Sequence, residues 1–482
     1  MVFNSLTFLV FLAVVLVLYY RLNHRGQNLM LLAASYVFYG WWDYRFLSLL
    51  LFTSLFDYGC ALKIDAASNP ARRKLFLTSS IIVNMGVLGI FKYYNFFASS
   101  LQSALAVVGV HPSFPTLHWI LPVGLSFYTF LSMSYTIDVY RKEIPATRHP
   151  LDFMLYVAYF PHLVAGPIVR ASYLLPQCQR PRVIQAAEVE NGIWLILMGY
   201  VKKMVIADRL GQFVDWSFAQ PAAPFDNLNA WVVIYAFAFQ IYGDFAGYSD
   251  IARGLAKIMG FELVVNFRAP YLVTNPAAFW RHWHISLSTW LRDYLYVGLG
   301  GNRHGRWKTY RNLMLTMLLG GLWHGAGPAF VLWGLYHGLL LAVHRFWSEL
   351  RGLPVHRAGP QVSGWADRLK KFFFAVVFFQ ITCLGWLLFR AGGLGHGVSQ
   401  WGVVRSYLHA MFNFQTTHLL LNFIVPVAML GALELFFQWR NEKMNEFSQW
   451  SGSNKAFAVT AALALITVMS VFKGAQFIYF QF

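Results

Sequence analysis

About a dozen apolar runs, most near the ~20 residues that cross a bilayer as a helix, recur along this 482-residue chain. They leave few folds open. The runs lie at about 5–20, 28–42, 45–62, 77–96, 119–138, 191–206, 229–246, 312–325, 328–343, 372–390, 417–437 and 456–473. Several are short or interrupted, which gives eleven to twelve spans. Only helices and closed barrels satisfy their backbone in lipid, and a barrel needs ~10-residue alternating strands. These runs do not alternate. Charged residues make up 12% of the chain, against roughly 25% in soluble domains. The fold class is therefore an all-α polytopic membrane protein. The first run lacks a basic leader and an Ala-x-Ala site, so it reads as a retained span.

The formal net charge of +18 raises a nucleic-acid reading, but its distribution argues for a membrane one. Arg21 and Arg25 follow the first run, Arg72, Arg73 and Lys74 the third, and Arg141, Lys142 and Arg148 the fifth; segment 99–118 has no lysine, arginine or carboxylate. Basic residues collect in loops on the cytoplasmic side. The N-terminus is then expected outside, with 21–27, 63–76 and 139–190 inside. The basic segment 252–311 also falls inside. Cys60, Cys178 and Cys383 are scattered and suggest neither a disulfide framework nor a thiolate metal site.

The chain divides into three parts of one membrane domain. Residues 1–140 hold conventional spans. Residues 141–345 are interrupted by Pro161, Pro167, Pro176, Pro270, Pro276 and Pro328 and by Gly166, Gly243, Gly247 and Gly254. Broken backbone at membrane depth is tolerated only inside protein or along a cavity, so this part is expected to build the site. Residues 346–482 open on a polar stretch, 348–371, and return to plain spans.

Histidines concentrate in 275–338: His282, His284, His304, His324 and His337. An ionisable side chain within the membrane is costly and points to function. In Gly320-Gly321-Leu322-Trp323-His324-Gly325-Ala326-Gly327-Pro328 an imidazole ends an apolar run among glycines that permit close approach. A slot beside the ring is expected, where a neutral histidine serves as general base; the alternative is a histidine bonded to a carbonyl for packing. Trp280-Arg281-His282-Trp283-His284 is a poor zinc site, since residues two apart on a helix face differently and only Asp293 sits nearby. Asp244, late in the 229–246 run, should face the protein interior, paired with an arginine such as Arg253 or Arg281. Ser249 lacks a Gly-x-Ser-x-Gly setting. Leu299-Gly300-Gly301-Asn302-Arg303 lacks the Gly-Lys-Ser/Thr of a phosphate loop and reads as a tight turn. The segment 160–170 is too broken for a straight helix and reads as re-entrant or as a kinked interfacial helix.

Taken together, Leu121–Phe130, Ser134–Arg141, 159–170, 240–254, Asn266–Tyr271, 279–303 and Leu322–Ala326 resemble the membrane-bound O-acyltransferase family, most closely its bacterial alginate O-acetylase-like branch. The resemblance implies a ring of helices with re-entrant segments around a central tunnel. It implies His324 as the catalytic histidine and His284 as a second functional position. His282 stands where relatives commonly carry Arg, which lowers it as a candidate; His304 and His337 read as structural. The expected reaction moves an acetyl group from a cytoplasmic thioester, acetyl-CoA, to a hydroxyl on the extracytoplasmic side, with no bound cofactor and no metal. Arg281, Arg292, Arg303 and Lys308 are the candidates for donor phosphates. Trp283, His284 and Asn302 are candidates to steady the oxyanion, with Trp323 and Asp244 as further lining candidates. Expected partners are the bilayer, a periplasmic acetyl-accepting or acetyl-transferring protein and an exopolysaccharide such as alginate, with no nucleic acid, at the bacterial inner membrane. Alternatives within the class are peptidoglycan O-acetylation and D-alanyl transfer to teichoic acid. A proton-coupled transporter or flippase would require paired broken helices in both halves, and the breaks lie only in the middle.

Overall fold

The computed structural model describes residues 1–470 except 118, 221–226, 353–363, 395–397, 414–420 and 445. Parts of the stretch 348–371 and of the runs 417–437 and 456–473 thus lie outside the described residues. Among the described residues there are helices and turns and no β-strand, and the apolar runs fall mainly on helices, although 119–124 precede the helix that starts at Leu125. Among the described residues, six helical stretches are long and apolar enough to cross a membrane: His24–Ala66, Pro70–Val107, Asn227–Ile258, Pro328–Leu350, Trp365–Gly392 and Gly452–Met469. The eleven to twelve runs exceed six for physical reasons. Runs 28–42 and 45–62 merge into one stretch, interrupted only by a 3-10 turn at Tyr44–Phe46. Others form shorter helices, Leu6–Tyr19 and Leu125–Tyr140. Helix starts follow local chemistry: Asn69 and Asn275 cap helices whose first residue is proline, pairing a side-chain acceptor with a preset φ.

The chain forms two compact units, Met1–Ile193 with Ile251–Val264, and Trp194–Asp250 with Val265–Phe482. In the first, Asp57 is fully buried and receives hydrogen bonds from Ser80, Asn84 and Ser132. These bonds knot the helices Leu47–Ala66, Pro70–Leu88 and Leu125–Tyr140. A buried carboxylate is tolerable only when bonded in this way. The segment 159–170 is broken as expected: Pro150–Ala158 ends at Tyr159, a four-residue helix Phe160–Leu163 follows, and the next helix starts at Ala171.

Two groups of glycines do not break helices. Asn227–Ile258 runs 32 residues straight through Gly243, Gly247 and Gly254. A Cβ on Gly247 would stand 2.7 Å from the carbonyl oxygen of Gly199, and one on Gly243 3.1 Å from that of Lys202. These positions admit neighbouring backbone, as small residues do between membrane helices. The helices Arg306–His324 and Pro328–Leu350 meet in the same manner: a Cβ on Gly321 would collide with the carbonyl oxygen of Phe330, and one on Gly334 with that of Met317.

Gly321→Ala and Gly334→Ala should each cost about 1–3 kcal/mol by overpacking. Gly59→Ala and Gly86→Ala, where nothing lies within 4 Å of the added carbon, should leave stability unchanged or raise it. Thermal unfolding of the four variants in detergent separates the two classes.

Candidate active site

His324 is the last residue of its helix, and Gly325 leaves the helix in extended conformation. The glycines around it do not leave an open slot. Gly321 receives the neighbouring helix, and the space beside Gly325 is filled by the ring of Phe330. His324 is 4% exposed and is walled edge-on by Trp323 at 5.1 Å, Trp333 at 4.9 Å and Phe389 at 5.1 Å between ring centroids. The expected open slot is thus replaced by aromatic packing around the ring.

His284 comes to the same wall. Its ring lies 6.1 Å from that of Trp323 and stands edge-on to Phe245 at 4.6 Å. Trp323 therefore contacts both histidines. The backbone at His284 is left-handed, φ 42° and ψ 56°, a conformation that costs a residue with a Cβ roughly 1–2 kcal/mol. Complete burial pushes its imidazole down to about 3, so it stays neutral at physiological pH. Trp283 points into an aromatic stack with Phe267, Tyr271, Phe279 and Trp386.

The sequence read His337 as structural and left its relation to His324 open. Both rings pack on Trp333, at 4.8 and 4.9 Å, while Phe279 and Trp280 close the far side of His337. Trp333, Trp386 and Phe389 were not singled out from the sequence. The last two belong to Trp365–Gly392, read there as a plain span, and their spacing of three along a helix was the signal available.

Asp244 is buried and ion-paired, but to Lys203 at 2.5 Å; Lys203 also binds Asp208 at 2.8 Å. The pairing expected with Arg253 or Arg281 is thus made by a lysine. The cause is the π-helical turn Val201–Ala207, a widened turn of the kind found at functional sites. It buries both Lys202 and Lys203, and Lys202 pairs with Asp250 at 2.8 Å. Ser249 accepts a hydrogen bond from Asn266.

The basic candidates lie at the surface. Arg281, Arg292, Arg303 and Lys308 are exposed. Arg292 is held bidentate by Asp293 at 2.6 and 3.0 Å, which weakens it as a donor ligand. Arg281, Arg303 and Lys308 make no ion pair among the described residues. Asn302 is exposed in the turn with Arg303 and does not join the buried aromatic wall, so its candidacy for the oxyanion loses support. The turn forms because Gly300 and Gly301 take positive φ and Asn312 binds the carbonyls of Leu299 and Gly301. His282 bonds its own helix at Ala278, and exposed His304 packs against Gly300.

Comparison with known proteins shows the family. The family description "MBOAT, membrane-bound O-acyltransferase family" matches residues 91–388, which hold both histidines and nearly all of the aromatic wall. The chain is 44% identical over 413 residues to a probable alginate O-acetylase of Pseudomonas putida, covering 84% of this chain and 81% of that one. It is 45% identical over 425 residues to the Pseudomonas aeruginosa counterpart, with 87% and 76% covered. A peptidoglycan O-acetyltransferase of Helicobacter pylori is 36% identical over 401 residues, with 78% and 73% covered. The chain belongs to the membrane-bound O-acyltransferase family. It is an O-acyltransferase and a multi-pass membrane protein.

Lys203→Met should leave Asp208 and Asp244 buried without their shared cation. Removing one partner of a buried pair costs about 3–5 kcal/mol. The variant should therefore lose folded yield in membranes, measured by detergent size-exclusion, whereas Asp244→Asn, which retains the Lys203–Asp208 pair, should lose less.

Proposed function

We propose that this chain moves an acetyl group from a cytoplasmic thioester, acetyl-CoA, to a hydroxyl on the extracytoplasmic side, for O-acetylation of an exopolysaccharide of the alginate kind. The observation that carries the reading is that the rings of His324 and His284 both pack against Trp323. His324 takes the proton of the acceptor hydroxyl as its oxygen attacks the thioester carbonyl carbon. The carbonyl oxygen becomes an oxyanion, which a hydrogen bond from neutral His284 steadies. The C–S bond then breaks, the ester remains on the acceptor, and the leaving thiolate takes the proton back from His324. The donor enters past Arg281, Arg303 and Lys308, whose exposed charges suit the CoA phosphates. The immediate acceptor is a periplasmic acetyl-accepting or acetyl-transferring protein. The enzyme sits in the bacterial inner membrane with its N-terminus outside, as the basic loops imply. Identity of 44–45% to the alginate O-acetylases against 36% to the peptidoglycan enzyme favours the exopolysaccharide.

His324→Ala, purified and shown to fold by size-exclusion, should transfer acetyl from acetyl-CoA roughly 10²–10⁴-fold more slowly; wild-type turnover would overturn the assignment. The double substitution Arg303→Glu with Lys308→Glu should raise KM for acetyl-CoA with kcat near wild type. In the unsubstituted enzyme the same KM should rise with salt, because exposed charges are screened.

A further inference from the structure

We infer that Asn266 is a positioning residue for His284, setting the imidazole through the turn that carries it. The inference rests on the proposed role of His284. Three bonds from that turn end on Asn266. Its backbone oxygen accepts from the Ile285 N–H at 2.9 Å, and its side-chain Oδ1 accepts from the Ser286 hydroxyl at 2.7 Å and the Ser286 N–H at 3.3 Å. A fourth bond, Arg268 N–H to the His282 carbonyl at 3.0 Å, closes the clamp on the other side of His284. Residue 284 lies in the left-handed region, which a residue with a Cβ leaves unless its surroundings hold it there, and both flanks are held by segment 266–268.

The other end of Asn266 fixes the turn against a helix face. Its Nδ2 donates to the Ser249 hydroxyl at 3.2 Å. Ser249 lies one turn after Phe245, the ring that stands edge-on to His284, and residues four apart share a helix face. Asn266 thereby ties the His284 turn to the same face that packs on the imidazole. Asn266, Ser249 and Ser286 are all buried, at 1%, 2% and 5% exposure, so water does not substitute for these bonds. This gives Ser249, no nucleophile by its sequence setting, a function as an anchor.

The test is a double-mutant cycle on the full-length enzyme in proteoliposomes, reading acetyl transfer from acetyl-CoA. Asn266→Ala should lower kcat at least tenfold, with KM for acetyl-CoA within twofold of wild type. In the His284→Ala background, read at high enzyme load, the same substitution should cost less than twofold, because the residue it positions is gone. An equal loss in both backgrounds would show that Asn266 serves the fold at large and would overturn the inference, while slow transfer by His284→Ala alone would still support the role of that histidine. Wild-type transfer by His284→Ala would end both. Ser286→Ala, which removes only the hydroxyl bond and keeps the N–H bond, is the milder variant where Asn266→Ala fails to insert. It should lower kcat a fewfold only when His284 is present, and an equal loss without His284 would overturn the inference.

Discussion

The backbone contact between Gly321 and Gly334 is the constraint on which the candidate site depends. It presses the helix ending at His324 against the helix that carries Trp333 and His337. His324 lies three residues beyond Gly321 and Trp333 one residue before Gly334, so the approach of the two backbones sets the 4.9 Å contact of their rings. In lipid no hydrophobic force drives helices together, and close packing of small residues takes its place. The glycines around His324 thus act as structural spacers first. The chemistry of the histidine follows from where that packing leaves it.

A second constraint comes from the charges buried with this packing. Lys202, Lys203, Asp208, Asp244 and Asp250 lie in one unit, held by three ion pairs. Such pairs seldom add net stability, but each member is intolerable alone. Their arrangement requires the π-turn at Val201–Ala207 and the glycines of the facing helix together. Gly243 and Gly247 let that helix approach the turn, and the turn directs successive lysines inward.

Much of the fold was legible because lipid restricts the backbone to a few solutions. Apolar runs marked the helices, proline and glycine marked the break at 159–170, and Gly300-Gly301 marked the turn. The site was legible where a motif is contiguous: His284 and His324 were singled out, and they share Trp323. It was illegible where the contact is tertiary. The spacing of Trp386 and Phe389 puts both on one helix face, but nothing in their run tells whether that face meets protein or lipid, since both surroundings are apolar. Asp244 announced that it needed a cation, and only the widened turn decided that Lys203 supplies it. Glycine misled most, because the same lack of a Cβ serves a break, a slot or a helix contact.

The two histidines differ in what their surroundings allow. His284 is fully buried, and that burial pushes its imidazole down to about 3, favouring the neutral form. In its proposed role as a neutral hydrogen-bonding group, orientation of the ring is what matters. The left-handed backbone and the bonds to Asn266 supply orientation at a conformational cost. A general base has the opposite requirement, since it must take a proton and return it within one turnover. His324 stands at a helix terminus beside the Gly325 break, where the chain leaves the helix, with Trp323, Trp333 and Phe389 edge-on to its ring. On the proposed mechanism one aromatic wall holds both imidazoles, His284 fixed by its left-handed backbone and the bonds of its turn to Asn266, and His324 at the end of a helix.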